Sequence, residues 1–210
     1  MKKHYNDRAR VFRALFFLKR GKTTMIQRKR IILSIAIALL AGIASTIGIL
    51  HTWFTDGTSS LFITYRGDVV ELFGRGVYGH MSAMVARQGA AQDLVTLFLA
   101  VPILVLTAFL NRRGTFKHLI LHTGVVAYFA VTYTIYLFMA SYSPLFLVYV
   151  AIVGLSVNLL IRLLLECFAH PDRFETGMPS YARANAITLM TIASMMALLW
   201  LSSVGPPLFE

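Results

Sequence analysis

The chain has 210 residues, of which 57% are hydrophobic and 14% charged, and its mean hydropathy is +0.68. Soluble domains carry about 25% charged residues, so this composition excludes an ordinary water-soluble domain. The formal net charge of +11 would suit nucleic acid, but most basic residues flank apolar segments and no nucleic-acid-binding motif accompanies them. We therefore expect the lipid bilayer as a partner, and no nucleic acid.

Five apolar segments are each long enough to cross a bilayer, whose hydrocarbon core of about 30 Å needs roughly 20 helical residues. None shows the strict alternation of a membrane β-barrel strand. The sequence therefore predicts an all-α membrane protein with a bundle of five transmembrane helices and a small external segment. The five segments are residues 31–50, 94–110, 119–139, 144–165 and 184–203.

The predicted organisation has three parts: a basic cytoplasmic segment (1–30), a transmembrane domain (31–203) and a short external tail (204–210). Residues 8–20 interleave basic and apolar side chains, which favours either an amphipathic helix on the inner leaflet or a disordered basic tail. Either Met1 or Met25 serves as the start. Small residues near position 44 resemble a signal-peptide cleavage site, but the apolar run continues to residue 50, so an uncleaved anchor is expected.

The distribution of basic residues predicts the topology. Residues 1–30 hold 11 of the 20 lysines and arginines. By the positive-inside rule, we expect a cell inner-membrane protein with a cytoplasmic N-terminus and an external C-terminus. The other basic residues assigned to the cytoplasmic side are Arg112, Arg113, Lys117, Arg162, Arg173 and Arg183, and those assigned outside are Arg66, Arg75 and Arg87.

The external segment (51–93) contains two β-prone runs, residues 61–65 and 69–73, which predict a short β-hairpin. Residues 74–79 then match G-x-G-x-x-G, the dinucleotide-binding fingerprint. That fingerprint needs a βαβ unit, and no second parallel strand is predicted here. A tight turn that uses the freedom of glycine is the better interpretation.

A candidate ligand-binding site lies where this segment enters the second helix. Gln88 and Gln92 share a helical face, and Asp93 is adjacent. The glycine turn can fold Tyr78 and Arg75 back onto them, so these five residues form the predicted polar rim. A carboxylate buried without a partner costs several kcal/mol, so we expect Arg75 or Arg87 to pair with Asp93. The alternative is a solvated helix end.

Three intramembrane polar residues are further candidates: Tyr133, Asn158 and Arg162. Polar groups at this depth either line a cavity or join helices by hydrogen bonds. Asn158, Arg162 and Glu166 follow at four-residue steps, so that Arg162 can pair with Glu166 and Asn158 can form a hydrogen bond to another helix.

Two histidines, His118 and His122, also stand four residues apart, a spacing that one metal or a haem iron could use. No second set of ligands appears at the same depth, so hydrogen-bonded interfacial histidines are expected and no cofactor or metal is predicted. The single cysteine, Cys167, excludes an intramolecular disulfide. Pro102 is expected to bend the second helix, and Pro144 to start the fourth.

Several runs resemble an uncharacterised family of bacterial multi-pass membrane proteins. The resemblance covers about residues 61–160 and implies an integral membrane bundle but no activity. Members often have a sixth helix, which this sequence does not contain. The matching runs are Val70 to Tyr78, Gln92-Asp93-Leu94-Val95, Pro102, Arg112-Arg113-Gly114 and Ser143 to Val150.

Two classes of function remain open. The chain is either a small transporter or ligand-binding protein with an externally open polar rim, or an accessory subunit of a membrane complex. Small residues on the first helix favour tight association, with a second copy or another membrane protein. An enzyme is disfavoured, because no HExxH, no GxSxG and no paired intramembrane carboxylates are found.

Overall fold

The computed structural model describes residues 2–139, 143–169, 187–195 and 197–198, with side chains from residue 25 onward except at 26 and 113. The described chain is mostly helical and carries one two-stranded antiparallel sheet. In chain order its elements are helix α1 (Lys2–Phe54), strands β1 (Ser60–Ile63) and β2 (Val69–Leu72), a 3₁₀ turn (Gly76–Tyr78), and helices α2 (Ala83–Val95), α3 (Val101–Leu110), α4 (Phe116–Met139) and α5 (Phe146–Phe168).

Four stretches of the described chain are long and apolar enough to cross a membrane: Gln27–Phe54, Ala83–Leu110, Phe116–Met139 and Phe146–Phe168. They coincide with the first four predicted segments, so a multi-pass membrane protein is the consistent interpretation. The second begins eleven residues earlier than predicted, since its polar first turns are helical too.

The fifth predicted segment is helical at residues 187–195 and 197–198, and its remainder lies outside the described residues. The external tail (204–210) and the loop arginines Arg173 and Arg183 lie outside them as well. Residues 8–20 belong to α1, but their side chains are not described, so their amphipathic character stays a prediction.

Small residues let α1 approach its neighbours. Ala38, Ala41, Ala44 and Ser45 are all buried on one side of α1, which packs against α2 and α3. Small side chains allow two helix backbones to come close and gain dispersion energy in lipid, where the hydrophobic effect contributes little between helices. This close approach brings α1 within reach of the candidate site.

A π turn (Thr96–Ala100) separates α2 from α3. The N–H of Val101 donates to the carbonyl of Thr96, five residues back. Pro102 follows at once; it has no N–H to donate, and its ring crowds the carbonyl four residues back. The wider π turn accommodates that carbonyl, so the predicted irregularity at Pro102 takes the form of a π turn.

The predicted hairpin is confirmed. β1 pairs with β2 in antiparallel register, with Leu61 opposite Glu71 and Ile63 opposite Val69. The N–H of Thr64 donates to the carbonyl of Asp68 at 2.8 Å and closes the connecting turn.

The start of α5 also follows the prediction. The N–H of Leu145 donates to the side-chain hydroxyl of Ser143 at 3.3 Å. The N–H of Phe146 donates to the backbone carbonyl of Ser143 at 3.0 Å. With Pro144 in between, this arrangement satisfies backbone donors that the first turn of a helix leaves free.

The opposite end of α5 is joined to α1 by an ion pair between Arg30 and Glu166. The predicted pair of Arg162 with Glu166 is therefore wrong: the Nε of Arg162 donates instead to the Asn158 Oδ1 at 2.9 Å, on the exposed face of α5. Arg30 lies in the sequence just before the first apolar run, and no sequence spacing links it to Glu166.

This ion pair predicts an energetic coupling between α1 and α5. The side chain of Arg30 is 13% exposed and that of Glu166 36%, so solvent screens the pair only in part. A double-mutant cycle with Arg30→Gln and Glu166→Gln should give a coupling of about 1 kcal/mol in detergent unfolding. Arg162→Gln, on the exposed face, is the matched control and should change stability by less than about 0.5 kcal/mol. A coupling near zero would show that the pair does not join the helices.

Candidate functional site

A buried carboxylate is the centre of the candidate site. Asp93, on α2, is 3% exposed. The hydroxyl of Tyr78 donates to its Oδ2, and the hydroxyl of Tyr136 lies 3.3 Å from its Oδ1. The Tyr136 hydroxyl also lies 3.0 Å from the carbonyl oxygen of Gly89 and shares its proton between the two acceptors. Both carboxylate oxygens thus accept hydrogen bonds, which stabilise the ionised form of the carboxylate.

Tyr78 reaches Asp93 because of the glycine turn. Gly74 and Gly76 have φ of +72° and +64°, in the left-handed region that side chains other than glycine rarely adopt. A Cβ on Gly74 would lie 2.1 Å from the carbonyl oxygen of Thr58, and one on Gly76 would lie 2.8 Å from that of His51. The left-handed glycines therefore hold the 3₁₀ turn, which carries Tyr78, close against α1. The interpretation of G-x-G-x-x-G as a turn agrees with this geometry.

The phenol of Tyr78 lies outside the spans and is 1% exposed. Its burial, together with the nearby Asp93 carboxylate, raises its pKa above the ordinary value. Tyr78 therefore keeps its proton and acts as a hydrogen-bond donor to the carboxylate.

Further tyrosines pack behind the carboxylate. The ring of Tyr136 lies 5.2 Å from that of Tyr149 and 5.5 Å from that of Tyr133, measured between centroids. The edge-on contact between Tyr136 and Tyr149 joins α4 to α5, and the tilted contact between Tyr133 and Tyr136 lies within α4. Tyr133, predicted as an intramembrane polar residue, is buried in this cluster, and its hydroxyl lies 3.4 Å from the Ala41 carbonyl oxygen on α1.

Two hydroxyls of this cluster have no hydrogen bond of acceptable geometry, those of Ser45 and Tyr149. The Ser45 hydroxyl nevertheless lies beside both Asp93 and Tyr133. The surroundings of Asp93 therefore hold more hydroxyl groups than the two that bond to it.

α1 meets the carboxylate at a glycine. A Cβ on Gly48 would lie 2.0 Å from the Oδ2 of Asp93 and 3.0 Å from the hydroxyl of Tyr78. Glycine is thus required here by close approach, since any side chain would displace the carboxylate or the tyrosine.

A cavity of about 260 Å³ opens beside this network. Tyr78 and Tyr136, which hold Asp93, form part of its wall, so the carboxylate lies directly behind the cavity. The lining combines amides and hydroxyls with apolar side chains: Tyr78, Met81, Val85, Gln88, Gly89, Gln92, Thr132, Ile135, Tyr136 and Met139.

The structure thus brings together four of the five predicted rim residues. Gln88 and Gln92 line the cavity as their helical spacing predicted, Tyr78 lies beside them, and Asp93 lies behind. Gln92 is anchored, since its Nε2 donates to the hydroxyl of Tyr128 on α4.

The fifth residue, Arg75, lies elsewhere. Its guanidinium sits 4.7 Å from the ring centroid of Phe73, and with Arg87 it borders a separate open cleft. The prediction that Arg75 or Arg87 pairs with Asp93 is wrong: among the described residues, no salt bridge to Asp93 is formed and tyrosine hydroxyls satisfy it instead.

Sequence reasoning missed Tyr136, Tyr149 and Gly48 as parts of this site. The tyrosines were recognisable only as polar residues within apolar helices, and Gly48 only as a small residue suited to packing. The sequence signal for Tyr136 is its spacing from Tyr133. The two residues are three positions apart on one predicted helix and therefore share a face.

A second polar joint lies at the other end of the spans. His122 is 1% exposed, with its Nε2 3.1 Å from the Ser34 hydroxyl and its Nδ1 3.1 Å from the Thr107 hydroxyl. It therefore joins α4 to α1 and α3 and is buried, where an interfacial position was predicted. His118 is half-buried and its ring Nδ1 lies 2.6 Å from the Thr115 hydroxyl, so the two histidines have different surroundings. Within the described residues, no group of three His, Cys, Asp or Glu side chains is placed to hold a metal ion.

No known protein family, curated protein or solved structure matches this chain.

The contact between Gly48 and Asp93 predicts a sharp difference between two glycines of α1. Gly48→Ala should destabilise the protein by about 1–3 kcal/mol, because the added methyl group must displace the carboxylate or Tyr78. Gly42→Ala is the matched control: a Cβ there meets nothing within 4 Å. It should leave stability unchanged or raise it by up to about 1 kcal/mol, from the higher helix propensity of alanine. Thermal and denaturant unfolding of both variants in detergent provides the comparison, and equal effects would contradict the close contact.

Proposed function

We propose that this chain is a bacterial inner-membrane protein that binds a small molecule, and transports or senses it, through a polar rim open to the external face. The observation that carries the proposal is the cavity of about 260 Å³ with the Asp93 carboxylate behind its wall. Pockets with a few convergent polar groups in an otherwise apolar lining are the usual form of small-molecule sites.

The energetics of Asp93 support a role beyond packing. A carboxylate within a membrane span is costly even when it is hydrogen-bonded, and apolar side chains would pack α2 against α1 and α4 without that cost. Polar groups kept at this depth generally act on ligands or ions. The proposal includes no metal or cofactor and no catalytic residue.

The proposed orientation places the cavity on the external side. It lies at the end of α2 from which the hairpin segment extends, the side with few basic residues. The resemblance to bacterial multi-pass proteins supports a bacterial inner membrane, with a cytoplasmic N-terminus.

A reporter experiment tests this orientation. An alkaline phosphatase domain, which folds only outside the cytoplasm, should be active when fused after Glu210 and inactive when fused before Met1, because most basic residues lie in the segments assigned to the cytoplasm. A fluorescent protein that matures only in the cytoplasm should give the opposite pattern. Cytoplasmic activity of the fusion after Glu210 would contradict the proposed topology.

Filling the cavity tests the binding function. Thr132 lines the cavity on α4, so Thr132→Trp should occupy much of it. Val131 is 61% exposed on the same helix and faces away, so Val131→Trp is the matched control. Native mass spectrometry in mild detergent should find a small molecule retained by the native chain and by Val131→Trp, and lost from Thr132→Trp. Equal retention by all three would place the ligand elsewhere, and a native chain without any retained molecule would speak against the function.

One observation favours a second candidate, an accessory subunit of a membrane complex. Several large apolar side chains of the hairpin segment are exposed: Leu61, Phe62, Ile63, Tyr65 and Val69. Exposed apolar surface of this kind is typical of contact with another protein, including a second copy, or with lipid. A stoichiometric protein partner in a mild-detergent purification, with no retained small molecule, would support this alternative.

A further inference from the structure

The cavity has a neutral wall with one charge behind it. Among the described residues that line it, none is acidic, basic or a histidine. The nearest charged group in the bonded network is Asp93, whose two oxygens are held by Tyr78 and Tyr136, both of them lining residues. The carboxylate is therefore one hydrogen bond away from two residues of the cavity wall.

That negative charge is not balanced by a described basic residue. Arg75 stacks on Phe73, and with Arg87 it borders the other cleft. Gln92, the polar residue nearest in sequence, is neutral and engaged with Tyr128. In a low-dielectric interior an uncompensated charge acts strongly over a few ångströms, so the cavity should attract a positive charge and exclude an anion.

The side chains on the wall suit a weakly hydrated cation. The two tyrosine rings can offer their electron-rich faces, and the Met81 and Met139 thioethers are polarisable. Small ions such as sodium need several oxygen ligands to replace their water, and this half-apolar wall offers few. The cavity volume of about 260 Å³ is also smaller than the roughly 300 Å³ at the lower end of drug-sized sites.

From this arrangement we infer that the ligand is a small organic cation of the alkylammonium class, held by the tyrosine rings with Asp93 as its counter-charge. This inference rests on the proposed binding function and narrows it to one chemical class. Tyr78 connects the charge to the cavity, because its hydroxyl donates to the Asp93 carboxylate and the residue also lines the cavity.

Two probes of similar size and different charge test the inference: tetramethylammonium and the neutral tert-butyl alcohol. With the full chain in detergent, isothermal titration calorimetry should show tetramethylammonium binding at least about tenfold more tightly. Asp93→Asn should reduce this ratio to about one, because it removes the charge and keeps the shape. Asp68→Asn, at an exposed carboxylate of the hairpin turn, is the matched control and should leave the ratio unchanged.

Tyr78→Phe provides a second variant that keeps the ring and the packing. Loss of this donor makes the ionised form of the buried carboxylate less stable, so tetramethylammonium should bind several times more weakly, while binding of the neutral alcohol is unchanged. Unchanged binding of the neutral alcohol shows that the cavity is still folded, and the same readout applied to Asp93→Asn separates loss of charge from misfolding.

The outcomes separate the inference from the proposed function. Equal binding of both probes, or a ratio unchanged in Asp93→Asn, would overturn the cation inference and leave a ligand-binding cavity. Displacement of tetramethylammonium by an equal concentration of sodium would also overturn it, in favour of an inorganic ion. Binding of neither probe, together with no retained molecule in the native chain, would overturn both.

Discussion

The hydrogen bonds between a buried carboxylate and two tyrosine hydroxyls are the constraint on which the hairpin end of the bundle depends. Asp93 belongs to α2, Tyr136 to α4 and Tyr78 to the segment that returns from the hairpin. A buried carboxylate oxygen that loses its donor is left without a hydrogen bond, which is energetically costly. Three parts of the chain are therefore fixed to one another by a single polar group, and the helix that passes closest, α1, has to leave room for it at Gly48.

The positions of the spans could be predicted from the sequence because the bilayer restricts the answer. A helix needs a run of about 20 apolar residues, and such runs are visible without knowledge of neighbours. The hairpin was visible for a similar reason: β-prone runs on either side of Arg66-Gly67-Asp68 specify a local turn. Three residues of the cavity lining, and the carboxylate behind them, were found by helical spacing and by the reach of the glycine turn, which are local properties too.

The partners of the charged residues could not be predicted in this way. An arginine seemed the natural partner for Asp93, because sequence reasoning ranks charge complementarity above hydroxyl donors. Which side chain reaches a buried carboxylate depends on the rotation of each helix about its axis, and no spacing within one helix specifies that rotation relative to another. The same reason explains why Glu166 pairs with Arg30 on α1 and not with Arg162, four residues away on its own helix.

The π turn at Thr96–Ala100 sets that rotation for the second span. A π turn holds about one residue more than an α turn, so the helix after it is turned back by roughly 90–100° relative to an unbroken α-helix. The half of the span before the π turn can therefore aim Asp93 at the α1 glycine while the half after it aims Thr107 at His122. In an unbroken α-helix these two residues, 14 positions apart, would lie about 40° apart around the axis, and the π turn changes this angle by about 100°. The π turn thus offsets the two halves of the span about the helix axis. Deletion of one residue within the π turn would remove this offset and restore a continuous α-helix.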